Sequence, residues 1–193
     1  MNYLEIAGTA VGLIYLWLEF KASFYLWIAG LIMPLIYIFV YYDAGLYADC
    51  GINVYYVLAS LYGMAYWCLR KNKQTGKTEE LPVTKTPLRL YLPILAVMTL
   101  LTIAIAQILI HFTNSNVPWT DSFTTALSIV AMWMLSRKFA EQWLAWILVD
   151  AVSGVLYIYK GLYFTAGLYI LYTIIAYFGY LKWKKMIVTP TAG

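Results

Sequence analysis

The sequence has few charged residues for its length. Only 11% of its 193 residues are Asp, Glu, Lys or Arg, whereas 63% are hydrophobic. A soluble domain of this size carries about a quarter charged residues, so this chain has too little polar surface to cover a globule in water. The composition excludes a water-soluble domain and predicts an all-α protein that crosses the lipid bilayer several times.

Histidine and cysteine are also scarce. The single histidine, His111, and the two cysteines, Cys50 and Cys68, exclude a His- or Cys-rich metal site. The nine acids are scattered, which disfavours an enzyme at the membrane surface, and the longest polar segment, of about 20 residues, is too short for a receptor or scaffold domain. No cofactor and no nucleic-acid partner are expected. The first apolar run contains Glu5 and no basic region precedes it, so a cleavable signal is not predicted.

Seven apolar runs approach the roughly 20 residues that a transmembrane helix needs. They are Leu4–Glu19, Phe24–Tyr42, Asn53–Leu69, Leu88–Phe112, Asp121–Leu135, Gln142–Tyr159 and Thr165–Leu181. The one long polar connection, residues 70–89, is charged and contains two prolines, which predicts an exposed, flexible loop. With the N-terminus outside and the C-terminus inside, 12 of the 13 Lys and Arg residues lie on the inner side and only Lys160 lies outside. This sorting follows the positive-inside rule.

The chain aligns with itself at a shift of 116 positions. Trp27, Gly63 and Trp67 then fall on Trp143, Gly179 and Trp183. Each repeat has three spans, so the unmatched fourth span must restore the orientation of the second repeat. The predicted architecture is 3+1+3: a first repeat over 1–72, a loop and linker helix over 73–112, and a second repeat with a basic tail over 113–193. Carriers built from parallel repeats of this kind bind substrate near the bilayer midplane, between the repeats.

Helical spacing predicts which side chains line that space. Trp143, Trp146, Asp150 and Tyr157 fall on one face of the sixth span. An ionised Asp inside the bilayer costs at least ~2.5 kcal/mol and is expected to face protein, water or ligand. The other predicted substrate-binding residues are Asn53, Tyr56, Glu19, Tyr169 and Tyr172. Aromatic rings with one or two carboxylates suit a flat organic cation.

Structural alternatives exist for each of these residues. Trp and Tyr concentrate at membrane interfaces, and Trp67 and Trp183, beside basic residues, are predicted to belong to that belt. An alternative for Asp150 is that it caps a helix kink or binds a neighbouring helix through backbone and hydroxyl donors. Pro34, Gly63 and Gly179 are the predicted hinge positions, although glycines also permit close contact between helices.

Three stretches of the sequence resemble one known family. GLYADCGINVYYVLASLYGMAYW (45–67), EQWLAWILVD (141–150) and KGLYFTAGLYILY (160–172) are similar to the PnuC-type vitamin transporters of bacteria, and the WxxW pair Trp143 and Trp146 is a mark of that family. The resemblance spans residues 4–185. It implies seven helices in the 3+1+3, SWEET-like arrangement, a homotrimer in the cytoplasmic (inner) membrane, and facilitated diffusion of an unphosphorylated vitamin that a cytoplasmic kinase then traps.

Members of this family differ in substrate. The opening YLEIAGTAVGLIYLWLEFKASFYLWIAG is most similar to PnuT-like members, which implies uptake of thiamine. The alternatives are nicotinamide riboside and, less favoured, riboflavin. Thiamine and nicotinamide riboside are both flat cations, so the character of the cavity does not separate them.

Overall fold

The computed structural model describes residues 3–43, 47–69, 81–113, 116–159, 161 and 163–187. Within these ranges the protein has seven helices and no strand, as predicted. The helices are α1 (Tyr3–Phe20), α2 (Tyr25–Asp43), α3 (Tyr47–Leu69), α4 (Leu88–Phe112), α5 (Pro118–Ser136), α6 (Gln142–Tyr159) and α7 (Tyr163–Met186). The bounds of α4 and α6 are the predicted ones, and both helices are long and apolar enough to cross a membrane. Helix α3 begins ahead of its predicted start at Asn53.

The chain divides into two compact units. The first unit is Met1–Leu81, in which α2 packs against α1 and α3, and the second is Pro82–Gly193, in which α4 to α7 pack in chain order. Helix α4, predicted as a linker, packs on α5. In that contact Leu90, Ile94 and Met98 lie against Val130 and Met134. The predicted domain boundaries at residues 72 and 112 stay a prediction.

The turn between α1 and α2 has the same backbone structure as the turn between α5 and α6. Ala22 and Lys138, separated by the 116-residue shift, have positive φ angles of 51° and 53°. Ala22 N–H donates to the carbonyl of Glu19 at 2.8 Å, and Lys138 N–H donates to the carbonyl of Leu135 at 2.8 Å. The repeat seen in the sequence is therefore repeated in local structure.

A Trp–Gly–Trp contact packs the second helix of each repeat on the third. Trp27 lies on Gly63 and meets Trp67 edge-on at 5.3 Å. Its counterpart, Trp143, lies on Gly179 and meets Trp183 edge-on at 5.9 Å. Trp67 is 7% exposed and Trp183 is fully buried. The prediction that these two residues form part of an interfacial belt is wrong, because neighbouring basic residues do not show whether a ring turns outward or into the helix contact.

The segment before α4 differs from its prediction as well. Residues 70–80 of the predicted flexible loop lie outside the described residues, but Leu81, Val83 and Thr86 are buried. Thr84 forms an isolated parallel bridge with Phe139 in the α5–α6 turn. Residues 82–87, here called the strap, therefore pack as part of the second unit.

Candidate functional site

Four of the predicted substrate-binding residues form one cluster in the second unit. Tyr157 on α6 stacks on Tyr169 of α7, with ring centres 5.1 Å apart and planes 29° apart. Tyr169 meets Tyr172 edge-on at 5.9 Å, and Tyr172 lies within electrostatic range of Asp150. These four residues, here called the Asp150 ladder, connect a carboxylate to three aromatic rings along the α6–α7 contact.

The Asp150 carboxylate is nearly enclosed and unpaired. The residue is 8% exposed, and it makes no hydrogen bond or ion pair with any residue that the structure describes. The alternative in which Asp150 caps a kink or holds a neighbouring helix requires such donors, and the described part of the chain supplies none. A buried, unpaired carboxylate is costly, so the ladder offers a place where a positive ligand group would be stabilised.

Trp146 lies one helical turn before Asp150. Its ring is partly exposed, but its indole Nε1 is buried and has no acceptor among the described residues. Buried indole N–H groups usually have a partner. Helix α6 thus presents an unpaired donor and an unpaired carboxylate one turn apart, which is a suitable pattern for a ligand with both a cation and a hydrogen-bond acceptor.

Trp143, the other member of the WxxW pair, has a different environment. Its side chain is fully buried, and a Cβ built on Gly179 would lie 2.7 Å from its ring. The ring therefore fills the contact between α6 and α7. Gly63 and Gly179, predicted as hinges, lie beneath the rings of Trp27 and Trp143, so the structure gives these glycines a packing role. Pro34 lies inside α2, and its role as a hinge stays a prediction.

The remaining predicted residues lie in the first unit. Glu19 is 1% exposed and Asn53 is buried. Tyr15, which is not among the predicted residues, lies within electrostatic range of both Glu19 and Tyr56. The spacing of Tyr15 and Glu19, one helical turn apart, is the feature that would have indicated this group.

The two units carry their buried acid on different helices. Tyr56 and Tyr172 are equivalent under the 116-residue shift, but Glu19 is on the first helix of its repeat and Asp150 is on the second. The position equivalent to Trp146 is Gly30, where a Cβ would lie 3.1 Å from the Tyr15 ring. The units share a backbone plan and differ in the side chains that would meet a ligand.

An apolar cleft lies along the same helix as the ladder. It has a volume of about 470 Å³ and is lined by Thr120 of α5 and by Ala151, Val152, Val155, Leu156 and Tyr159 of α6. None of the predicted substrate-binding residues lines it. In the described ranges no group of three or more His, Cys, Asp or Glu residues is arranged to hold a metal ion.

Comparison with known proteins identifies the family. The profile of the NMN_transporter family, described as nicotinamide mononucleotide transporter, matches residues 2–185. The chain belongs to this family. It is 26% identical to the nicotinamide riboside transporter PnuC of Escherichia coli over 95% of this chain and 85% of that protein. It is 27% identical to the riboflavin/roseoflavin transporter RibM of Streptomyces davaonensis over 93% of this chain and 83% of that protein.

A solved structure supports the same assignment. The crystal structure of the vitamin B3 transporter PnuC matches with a TM-score of 0.69 at 26% identity, over 92% of this chain and 78% of that one. The resemblance to PnuC-type transporters is confirmed. The protein is a membrane transporter of a vitamin and not an enzyme.

Proposed function

We propose that this transporter carries a vitamin whose ring is flat and positively charged, and that nicotinamide riboside is its first candidate substrate. The observation that carries the proposal is Asp150, a nearly enclosed carboxylate with no described partner and with Tyr172 beside it. A cation bound beside Asp150 supplies the positive charge that this carboxylate lacks. Each nearby ring face adds roughly 0.5–2 kcal/mol of attraction.

The uncharged part of the substrate has a partner in the same cluster. The Trp146 indole N–H, one turn from Asp150, donates to a carbonyl or hydroxyl oxygen of the ligand. Nicotinamide riboside has a pyridinium ring, an amide oxygen and ribose hydroxyls, and thus matches both unpaired groups. Tyr157 and Tyr169, already stacked on each other, provide the adjoining aromatic surface.

The choice among vitamins depends on charge and on the relatives. The relatives named above include a carrier of nicotinamide riboside, which supports this substrate over the predicted thiamine. Thiamine is the second candidate, because the opening of the chain resembles the thiamine branch and because its thiazolium is also a flat cation. Riboflavin is uncharged and would leave Asp150 unpaired, so it is disfavoured although RibM is a relative.

The transport mode that we propose is facilitated diffusion. In this proposal the seven helices span the inner membrane as 3+1+3, with the N-terminus outside and the C-terminus inside, and substrate is exposed alternately to the two sides. Phosphorylation by a cytoplasmic kinase would keep the vitamin in the cell. The tight Trp–Gly–Trp contacts support helix pairs that move as bodies, and assembly as a trimer belongs to the same proposal.

Replacing Asp150 by Asn tests the proposal directly. We expect Asp150→Asn to weaken binding of nicotinamide riboside by about ten- to a hundredfold, because a charge-assisted contact contributes roughly 1.5–3 kcal/mol. Binding of the uncharged dihydro form should change far less. Isothermal titration of the purified protein in detergent measures both ligands, and Asp121→Asn, in the first turn of α5, is the control. Equal losses for charged and uncharged ligands would reduce Asp150 to a structural residue.

A further inference from the structure

The strap binds the α5–α6 turn through the backbone. Thr84 N–H donates to the Lys138 carbonyl at 3.0 Å, and Ala140 N–H donates to the Thr84 carbonyl at 2.9 Å. Val83 and Thr86 are 4% and 5% exposed, so side chains of the strap are buried where its backbone pairs. The strap is therefore a packed part of the second unit and not a flexible loop.

A single carboxylate then joins the strap to α6. Glu141 directly precedes the first residue of α6, and its backbone carbonyl accepts from Leu144 N–H at 3.0 Å. Its Oε2 accepts from Thr86 N–H at 2.8 Å and from the Thr86 hydroxyl at 2.9 Å. A carboxylate at a helix N-terminus is favourable, and this one also holds the residue that lies two positions before α4. Glu141 thus ties together the starts of α4 and α6.

The first repeat has the same turn without this connection. The position equivalent to Glu141 is Tyr25, whose side chain is 64% exposed. The backbone hydrogen bonds of the two turns otherwise correspond, including Trp27 N–H to the Phe24 carbonyl and Trp143 N–H to the Ala140 carbonyl. The turn forms without a strap, so folding of the turn does not account for the Thr86–Glu141 contact.

We propose that Thr86 and Glu141 are positioning residues for the substrate site: they fix the depth and rotation of the start of α6, the helix that bears Trp146 and Asp150. The inference rests on the proposed function only in naming what α6 positions. Trp146 lies about 1.4 turns after Glu141, and Asp150 lies about 2.5 turns after it. A shift or fraying of the first turn of α6 would displace the unpaired indole N–H relative to the carboxylate and the tyrosines of α7.

Hydrogen–deuterium exchange over residues 141–146 in the purified full-length protein tests the structural part. Each substitution removes a charge-assisted hydrogen bond, so we expect Glu141→Ala and, less strongly, Thr86→Val to speed exchange there by about three- to tenfold. Exchange in α5 should not change. Thr86→Ser keeps the hydroxyl and should restore the wild-type rate. Thr99→Val is the matched control, since the Thr99 hydroxyl bonds only the Leu95 carbonyl of its own helix, at 2.9 Å.

Binding of nicotinamide riboside and thiamine to the same variants tests the positioning part. We expect the dissociation constant of the bound vitamin to rise at least about threefold in Glu141→Ala and Thr86→Val, while the melting temperature of the protein is unchanged. In Thr86→Ser the dissociation constant should return to the wild-type value. Unchanged exchange in Glu141→Ala, or faster exchange with wild-type affinity, would overturn the proposal. If the wild-type protein binds neither vitamin, the proposed function fails, and the exchange result alone decides whether this pair fixes α6.

Discussion

At the scale of single residues, the molecule separates two tryptophans that look alike in the sequence. Trp143 is fully buried in the contact of α6 with Gly179 and Trp183, whereas the ring of Trp146 is partly exposed. The indole N–H of each is buried and has no acceptor among the described residues. Their different surroundings give them different tasks. Trp143 stabilises the helix pair, and Trp146 is the residue of the pair that we expect to contact the vitamin.

Intrinsic fluorescence distinguishes these roles. Saturating nicotinamide riboside should quench the emission of the wild-type protein, because the Trp146 indole would lie next to the bound pyridinium. Trp146→Phe should lose most of that quenching. Trp119→Phe, which removes an exposed indole from the first turn of α5, should keep the quenching. A Trp146→Phe protein whose emission changes as much as that of the wild type would place the ligand elsewhere.

The glycine beneath Trp143 makes a second prediction at this scale. Gly179→Ala should lower the melting temperature by the equivalent of about 1–3 kcal/mol, because the added Cβ overlaps the ring. Gly167→Ala, in the same helix with open space around it, should be neutral or stabilising by up to ~1 kcal/mol. Thermal unfolding in detergent measures both, and equal melting temperatures for the two variants would contradict the packing role.

At the scale of elements, the repeated unit is a helix–turn–helix with one residue of positive φ. Ala22 holds this conformation in the first turn at a cost, since L-residues other than glycine are disfavoured there by roughly 1–2 kcal/mol. Ala22→Gly should therefore raise the melting temperature, while Ala65→Gly, at an exposed position inside α3, should lower it by the equivalent of about 1 kcal/mol. A destabilised Ala22→Gly protein would show that the turn is not strained.

The helices are easier to predict from the sequence than the contacts between them. Long apolar runs bounded by polar residues predicted the bounds of α4 and α6, and helical spacing predicted the face that carries Trp146 and Asp150. Neither feature shows which residue of a neighbouring helix is opposite, so the sequence does not predict the proximity of Tyr15 to Tyr56 or the Trp–Gly–Trp contacts. The sequence predicts a flexible loop here because residues 70–89 are charged and contain two prolines, and it does not show that Val83 and Thr86 are buried.

At the scale of the whole molecule, the composition predicts a membrane protein, and the buried Asp150 favours a positively charged substrate. A chain with 11% charged residues still keeps Asp150, a nearly enclosed acid without a described partner, inside an apolar helix. Its cost is offset only when a cation is bound or when the acid takes up a proton. We therefore predict a carrier that prefers a charged vitamin and that needs no ion gradient, since the substrate supplies the positive charge.

Uptake of labelled nicotinamide riboside into proteoliposomes that contain the purified protein and no kinase tests this most directly. We expect the label to rise to the outside concentration and to stop there, equally with and without a protonophore. Asp150→Asn should slow this approach to equilibrium. Accumulation above the outside concentration that a protonophore abolishes, or uptake no faster than in liposomes without protein, would contradict it.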